Sequence, residues 1–372
     1  MRLALSNLLH DRVRFVVTIV GITFAVFLMV FQGSLLAGFI RAASRPIEAS
    51  DAQIWITARG VQCFEYATPI PSRFRELAYS CSGVDSVQRV VGAFTQWKGP
   101  SGSAQLVFLV GAEAGMGGNF PVPYVNERRD SVLPESVLVD VSNAADLEVT
   151  ALPADLEVNN GRARAVKILQ GFGTFLGTPY GYTGYWDAIR YLGIRPEETC
   201  MLAVHLRPGF DVNSVKQELA ARLPDAGVWT RDEFARRAQM FWIIKTGAGG
   251  ALLTAALLGF VVGLVVVSQN IYATTMENLE EYATLKAIGA SRGYIRRVVL
   301  IQALASGVVG SALGIMLVFP VTSGIKGFIS WVHTPWWLPI AMIVVGLLMC
   351  CLASIVSVRK AVSVEPARVF RA

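Results

Sequence analysis

The chain is 372 residues long, 53% hydrophobic and only 16% charged, with a formal net charge of +6. Ordinary soluble domains carry about 25% charged residues, so this composition excludes a disordered chain and argues against a single soluble globular domain. Five cysteines in this length exclude a disulfide-stapled mini-domain.

Residues 1–14, with Arg2, Arg12 and Arg14, read as a basic amphipathic N-terminus. Phe15 to Ile40 then runs for 26 residues without Asp, Glu, Lys, Arg or His. About 20 apolar residues cross a ~30 Å hydrocarbon core as a helix, because a helix satisfies its own backbone polar groups. Residues 15–40 are therefore the first predicted span, too long for the ~7–15-residue apolar stretch of a cleaved signal peptide.

Residues 41–245 have a different composition and read as a mixed α/β domain. Ala52 to Thr57 and Arg162 to Leu169 alternate as strands, Ser103 to Gly111 reads as another, and Met201 to Leu206 is a strand that meets the turn signal Arg207-Pro208-Gly209. Asp211 is placed to cap a helix whose Val215, Leu219 and Leu223 lie four apart on one face. Arg231 to Trp242 predicts a helix running into the next span. The chain's three histidines, His10, His205 and His333, sit in no metal or nucleophile motif. His205, within a strand, reads as a packed residue. Gly171-Phe172-Gly173 with Gly177 lacks the spacing and the GK[ST] ending of a phosphate loop and reads as an ordinary loop. The cluster Tyr180, Tyr182, Tyr185, Trp186 and Tyr191 is either a small core or a contact for a partner or lipid. Cys63 and Cys81 are candidates for a disulfide, with Cys200 as a competing partner; sequence alone does not bring their Cα atoms within the ~7 Å a bridge needs.

Three further charge-free runs follow: Thr246 to Met276 (31 residues), Val298 to Ile325 (28) and Thr334 to Val358 (25). They predict spans at 246–276, 298–325 and 334–358, the first long enough to extend beyond the membrane. Cys350 and Cys351 fall in the last, where packing explains them. The link at 277–297 carries Lys286, Arg292, Arg296 and Arg297. The tail at 359–372 carries Arg359, Lys360, Arg368 and Arg371, whereas the link at 326–333 has only Lys326 and His333. The positive-inside rule places both termini and the 277–297 link in the cytoplasm. The large domain then lies outside, in the periplasm of a cell with two membranes. Residues 42–240 hold 19 Lys and Arg against 22 Asp and Glu, while the rest of the chain holds 14 against 5. The basic balance thus belongs to the membrane flanks and points to lipid, not to nucleic acid.

The 277–297 link is the most informative segment. Glu277, Glu280 and Glu281 crowd the start of a short helix and Lys286 falls near its end, matching the helix dipole. Gly289 is placed to terminate that helix, and Ser291 to cap the next. Tyr282, Leu285 and Ile288 are expected to form an apolar stripe flanked by charge. A helix lying in the headgroups is the plain alternative. Its acids disfavour anionic lipid and suit a soluble partner.

The segment Glu281-Tyr282-Ala283-Thr284-Leu285-Lys286-Ala287-Ile288-Gly289-Ala290-Ser291 resembles the coupling helix of the FtsX-like permease superfamily. That superfamily holds membrane subunits of ABC systems such as the macrolide exporter MacB, the lipoprotein-releasing LolC/LolE pair and the heterocyst exporter DevC. Leu5 to Phe15 followed by Gly21-Ile22 is similar to its entry helix and first span, closest to the DevC branch. Ala203 to Leu223 followed by Trp229 to Phe234 is similar to the end of its external domain. Arg359-Lys360 with Glu365-Pro366-Ala367-Arg368 is similar to its C-terminal ending.

The resemblance implies an α-helical membrane protein with four transmembrane helices and a large mixed α/β extracytoplasmic domain between the first and second. It implies a permease that pairs with a second copy, as a homodimer, in the cell inner membrane. A periplasmic adaptor and an outer-membrane channel are expected beside it. Unlike MacB, the sequence has no GxxxxGK[ST] segment. The expectation is therefore a transporter subunit, not an enzyme, that binds no cofactor itself and draws on ATP through a separate ABC ATPase. Glu280, Glu281, Tyr282, Leu285, Lys286, Ile288 and Gly289 are the expected docking residues for that ATPase. The spans hold no Asp, Glu, Lys or Arg, so no charged pathway is apparent; Gly247, Gly249, Gly250, Gly307, Gly310 and Gly314 either permit close helix contact or are ordinary membrane composition. Three alternatives stay open at this point: a lipoprotein-releasing or cell-wall-hydrolase-activating permease of the same superfamily, a membrane-anchored ligand sensor and, weakest because neither side offers a catalytic constellation, a membrane enzyme.

Overall fold

A computed structural model describes residues 12–125, 131–173, 177–277, 279–325 and 331–363. The chain forms two compact units, residues 1–37, 250–325 and 332–372 in one and residues 38–249 and 326–331 in the other.

The first unit is helical. It contains the first part of α1 (Arg12–Glu48), most of α6 (Ala248–Glu277), and α7 (Leu279–Ala287), α8 (Arg292–Ile325) and α9 (Trp337–Ser363). Four of these helices, α1, α6, α8 and α9, are long and apolar enough to cross a membrane. Their shared core joins Ile22, Val26 and Val30 of α1 to Val267 of α6, Val299 and Val318 of α8, and Met349 of α9. Small residues let the backbones approach, as membrane helices require where no hydrophobic effect drives them together. A methyl at Gly310 would lie 2.6 Å from the Ile22 side chain, and one at Gly314 would lie 2.8 Å from the Thr23 carbonyl oxygen. The Thr23 hydroxyl in turn donates to the Gly310 carbonyl at 3.2 Å. By contrast, Gly247 and Gly250 have nothing within 4 Å of an added methyl. We expect Gly314→Leu to lose about 1–3 kcal/mol or more through overpacking. Gly250→Ala should leave thermal unfolding of the detergent-solubilised protein unchanged, and the two unfolding curves check both statements.

The second unit is α/β. In chain order it holds β1 (Ile54–Ala58), a 3₁₀ turn (Phe64–Tyr66), β2 (Ile70–Pro71), α2 (Phe74–Tyr79), β3 (Val84–Lys98) and β4 (Ala104–Ala112). Next come β5 (Ser136–Asp140), β6 (Ala154–Val158), β7 (Gly161–Leu169), β8 (Tyr180–Gly184), α3 (Tyr185–Leu192) and β9 (Glu198–Thr199). The unit closes with β10 (Met201–Leu206), α4 (Val212–Arg222), β11 (Ala226–Thr230), α5 (Arg231–Met240) and a π-helical turn (Phe241–Lys245). Four strands run β11-β1-β10-β3, all antiparallel. With α2 between β1 and β3, and α4 between β10 and β11, this is the split β-α-β arrangement of ferredoxin-like folds. The long β3 also belongs to a second body. The pairings β3-β4-β8-β5-β7-β6 return to β3 through Trp97↔Val158, closing a six-stranded ring.

Local sequence explains these elements. Asp211 accepts from the Ser214 amide at 2.8 Å, and Val215, Leu219 and Leu223 are buried beneath α4 with Ile54, Ile56 and Val204. Burying each such side chain contributes about 1.5–3 kcal/mol. Thr230 and Glu233 form a reciprocal capping box at the start of α5. That helix does not run on into the next span. It passes into the π turn and ends at Gly247, whose φ of +74° breaks the helix. Within the π turn the Trp242 indole points inward and donates to the buried Glu65 carboxylate at 3.1 Å.

The candidate disulfide between Cys63 and Cys81 is not formed; all five cysteines are free. Cys81 packs in the cluster of Ile54 and Ile56. Phe64, next to Cys63, packs on Trp55, the β1 residue that alternation sends to the opposite face. The sheet therefore separates the two thiols.

Candidate coupling site

The link after α6 folds as a short helix, a stop and a new helix. α7 carries Glu280 and Glu281 in its first turn and Lys286 in its last. Its end is closed by backbone bonds from the Gly289 amide to the Lys286 carbonyl at 3.0 Å, and from the Ala290 amide to the Leu285 carbonyl at 2.9 Å. This closure requires φ of +102° at Gly289. An added methyl there would touch nothing within 4 Å; backbone conformation, not space, demands glycine. Ser291 then caps α8, its hydroxyl accepting from the Tyr294 amide at 3.2 Å.

The side chains divide in a way that the spacing alone did not foretell. Ala283 and Ile295 are fully buried, and Leu285 packs against the helical unit's core. Ile288, expected on the same stripe as Leu285, is instead 80% exposed. Its amide still donates to the Thr284 carbonyl at 3.0 Å, so the last helical bond reaches this residue, and what differs is that the core meets Leu285 and leaves the Ile288 side chain in solvent. Glu280, Glu281 and Gly289 are exposed, as are Arg292, Arg296 and Arg297, while Lys286 is half-buried. The side chain of Tyr282 lies outside the described residues. Ile288 thus stands in solvent between acidic and basic groups, on a glycine-closed turn.

The other candidates from the sequence fall elsewhere. His205 is packed in β10 with Nε2 3.1 Å from the Met116 carbonyl oxygen, and burial pushes its pKa down. Tyr180, Tyr182, Tyr185 and Tyr191 are buried core, whereas Trp186 is 60% exposed. The Phe172 amide of the glycine loop donates to the Asp140 carboxylate at 2.7 Å; residues 174–176 of that loop lie outside the described residues. Among the described residues no group of three or more His, Cys, Asp or Glu could hold a metal ion.

Two polar centres were missed. Arg89 bonds Glu113 through Nε at 2.9 Å and lies over the rings of Tyr185 and Trp186, at 4.5 and 4.8 Å. Glu113, Tyr185 and Trp186, together with Arg75, Gln88 and Asp187, line a cleft of about 490 Å³. The second centre is Glu65, buried between the Tyr180 hydroxyl, 2.8 Å away, and the Trp242 indole, 3.1 Å away. Neither belongs to a motif, and their partners lie far off in sequence, so only the fold reveals them.

Comparison with known families gives two matches. The family described as "MacB-like periplasmic core domain" matches residues 15–222, and that described as "FtsX-like permease C-terminal" matches residues 250–366. Two uncharacterized ABC transporter permeases of Mycobacterium tuberculosis, from strains CDC 1551 and H37Rv, are each 28% identical over 133 residues. The match spans 34% of this chain and 35% of each relative, about a third of their length. Among solved structures, the periplasmic region of MacB from Actinobacillus actinomycetemcomitans is 10% identical with a TM-score of 0.36, covering 50% of this chain and 92% of that one. The extracellular domain of the noncanonic ABC-type transporter YknZ from Gram-positive bacteria is 8% identical with a TM-score of 0.34, covering 48% and 98%.

Proposed function

The chain belongs to the FtsX/MacB family of ABC transporter permeases, and from that membership we propose that it is the transmembrane subunit through which a separate ATPase drives its extracytoplasmic α/β unit. The protein is a multi-pass membrane protein with four apolar helices long enough to span. The reading places it in the cell's inner membrane, with both termini and the 277–297 link on the cytoplasmic side, as the arginine-rich flanks favour. It works as a homodimer. ATP is bound by the ATPase partner, and hydrolysis moves α7 and, through α6, the external unit. A periplasmic adaptor and an outer-membrane channel complete an export path, as in the exporters this family contains.

The observation that carries the reading is the turn at Ile288. An exposed apolar knob, closed by Gly289 and bordered by Glu280, Glu281 and Arg292, has the form of a docking element for a soluble protein. Tagged protein should be extracted from its native membrane in mild detergent and its companions identified by mass spectrometry. A P-loop ATPase in stoichiometric amount is the expected result, and an adaptor recovered with it marks export. No ATPase, under conditions that keep other ABC complexes intact, overturns the proposal.

A further inference from the structure

We propose that Tyr66, Met240, Phe241 and Ile244 form a lipid-facing foot of the α/β unit, seated in the headgroup layer where the second span begins. Met240 to Lys245 lies within six residues of the charge-free run that opens at Thr246. In this stretch two large apolar side chains stand on the surface, Met240 53% exposed and Ile244 60%. Tyr66 joins them from a distant part of the chain and is 57% exposed. Its ring lies 5.7 Å from Phe241 and 6.1 Å from Trp242, and the last two are 5.3 Å apart.

Three features select lipid as the occupant. The patch is continuous in sequence with a membrane span, so a headgroup layer is the surface nearest to it along the chain. It combines aromatic rings and aliphatic side chains with one basic group, Lys245, and residues 240–247 contain no acid. Tyrosine and tryptophan favour the membrane–water boundary, where the ring is apolar and its polar tip stays wet. Lysine there lays its stem along apolar surface and reaches phosphate. The foot is also held firmly. The Glu65 carboxylate, one residue before Tyr66, is bonded to the Trp242 indole, so the 3₁₀ turn and the π turn are tied together.

The inference rests on the membrane reading above, and the test separates the two. Single nitroxide labels are placed on the full-length chain at residue 66 (Tyr66→Cys), 244 (Ile244→Cys), 186 (Trp186→Cys) and 262 (Val262→Cys), in a Cys351→Ser background. The protein is reconstituted into phosphatidylethanolamine/phosphatidylglycerol bilayers. Collision with lipid-soluble oxygen is then compared with collision with a water-soluble nickel chelate. Labels at 66 and 244 are expected to favour oxygen several-fold over the label at 186, and 262 should favour it most. Nickel access at 66 and 244 equal to that at 186 overturns the foot. So does exclusion of both reagents, which would place a protein partner there. Nickel access at 262 as well would defeat the membrane reading itself. If Tyr66→Cys fails to insert, the labels at 244 and at 240 (Met240→Cys) decide by the same criteria.

Discussion

Ile288→Asp is expected to strip the ATPase from the permease while leaving the permease folded and inserted. Ile288 contributes almost nothing to the core, being 80% exposed. Burying an isoleucine in a partner's pocket is worth about 1.5–3 kcal/mol, or roughly 10- to 100-fold in affinity. An aspartate there would also carry a charge into an apolar pocket, adding to the loss. Leu285→Asp should behave differently. Leu285 packs against the core of the helical unit, so a charge there damages that unit, and less protein survives alkaline extraction of the membrane. Quantitative co-purification with each variant, set against its membrane-inserted amount, checks both outcomes. Loss of partner in Ile288→Asp at normal insertion supports docking at this turn; retention of the ATPase by that variant removes Ile288 from the interface. Glu280→Lys and Glu281→Lys, on the exposed first turn of α7, should weaken docking in a salt-dependent way.

Glu65 should give the α/β unit a contribution to stability that is lost as pH rises. Burial, the dominant effect, raises the Glu65 pKa above the ordinary glutamate value, against the lowering influence of hydrogen bonds from Tyr180, Trp242 and Cys63. No basic side chain is among the groups that act on it. A carboxyl with a higher pKa folded than unfolded binds more protons in the folded state. Its stabilisation is therefore complete below the ordinary glutamate value of about 4.3, and is lost as pH climbs through the raised folded value. Glu65→Gln should flatten this part of the stability–pH curve. Glu65→Ala should cost about 1–3 kcal/mol at every pH, since it leaves the Trp242 N–H and Tyr180 O–H buried without their acceptor. Thermal unfolding of the full chain from about pH 4 to 8 tests the first statement, and a curve that keeps its slope in Glu65→Gln refutes it. Hydrogen exchange across Phe241–Lys245 should speed up in Glu65→Ala, because the π turn is pinned through Trp242.

Much of this was legible in the sequence because it depends on local chemistry. Charge-free runs mark spans irrespective of what surrounds them, and Asp211 with Val215 and Leu219 announces a capped, one-sided helix by spacing alone. Met201 to Leu206 is legible as a strand because an apolar run ends there at the turn signal Arg207-Pro208-Gly209. Gly289 and Ser291 were readable as stop and cap because both roles are set within four residues. What failed depended on tertiary partners. Ile288 parts from Leu285 because the core of the helical unit covers only Leu285. The helix from Arg231 gave way to a π turn whose Trp242 bonds Glu65, 177 positions away. Cys63 and Cys81 looked available to each other, but a strand lies between them, and strand order does not follow from spacing.

The ring β3-β4-β8-β5-β7-β6 is built from one unbroken stretch, residues 84–184, whereas the sheet beside it draws its strands from both ends of the unit. β1 pairs only with β10 and β11, whose residues follow it by some 140 positions or more. As the chain emerges, the ring can assemble by itself while the hydrophobic strand Ile54-Trp55-Ile56-Thr57-Ala58 waits with both edges unpaired. Late, long-range closure of this kind is slow and exposes a segment prone to pairing with the wrong neighbour. Nascent or stalled chains ending before Met201 are therefore the forms most in need of a chaperone, and β1 is the segment such a chaperone would hold.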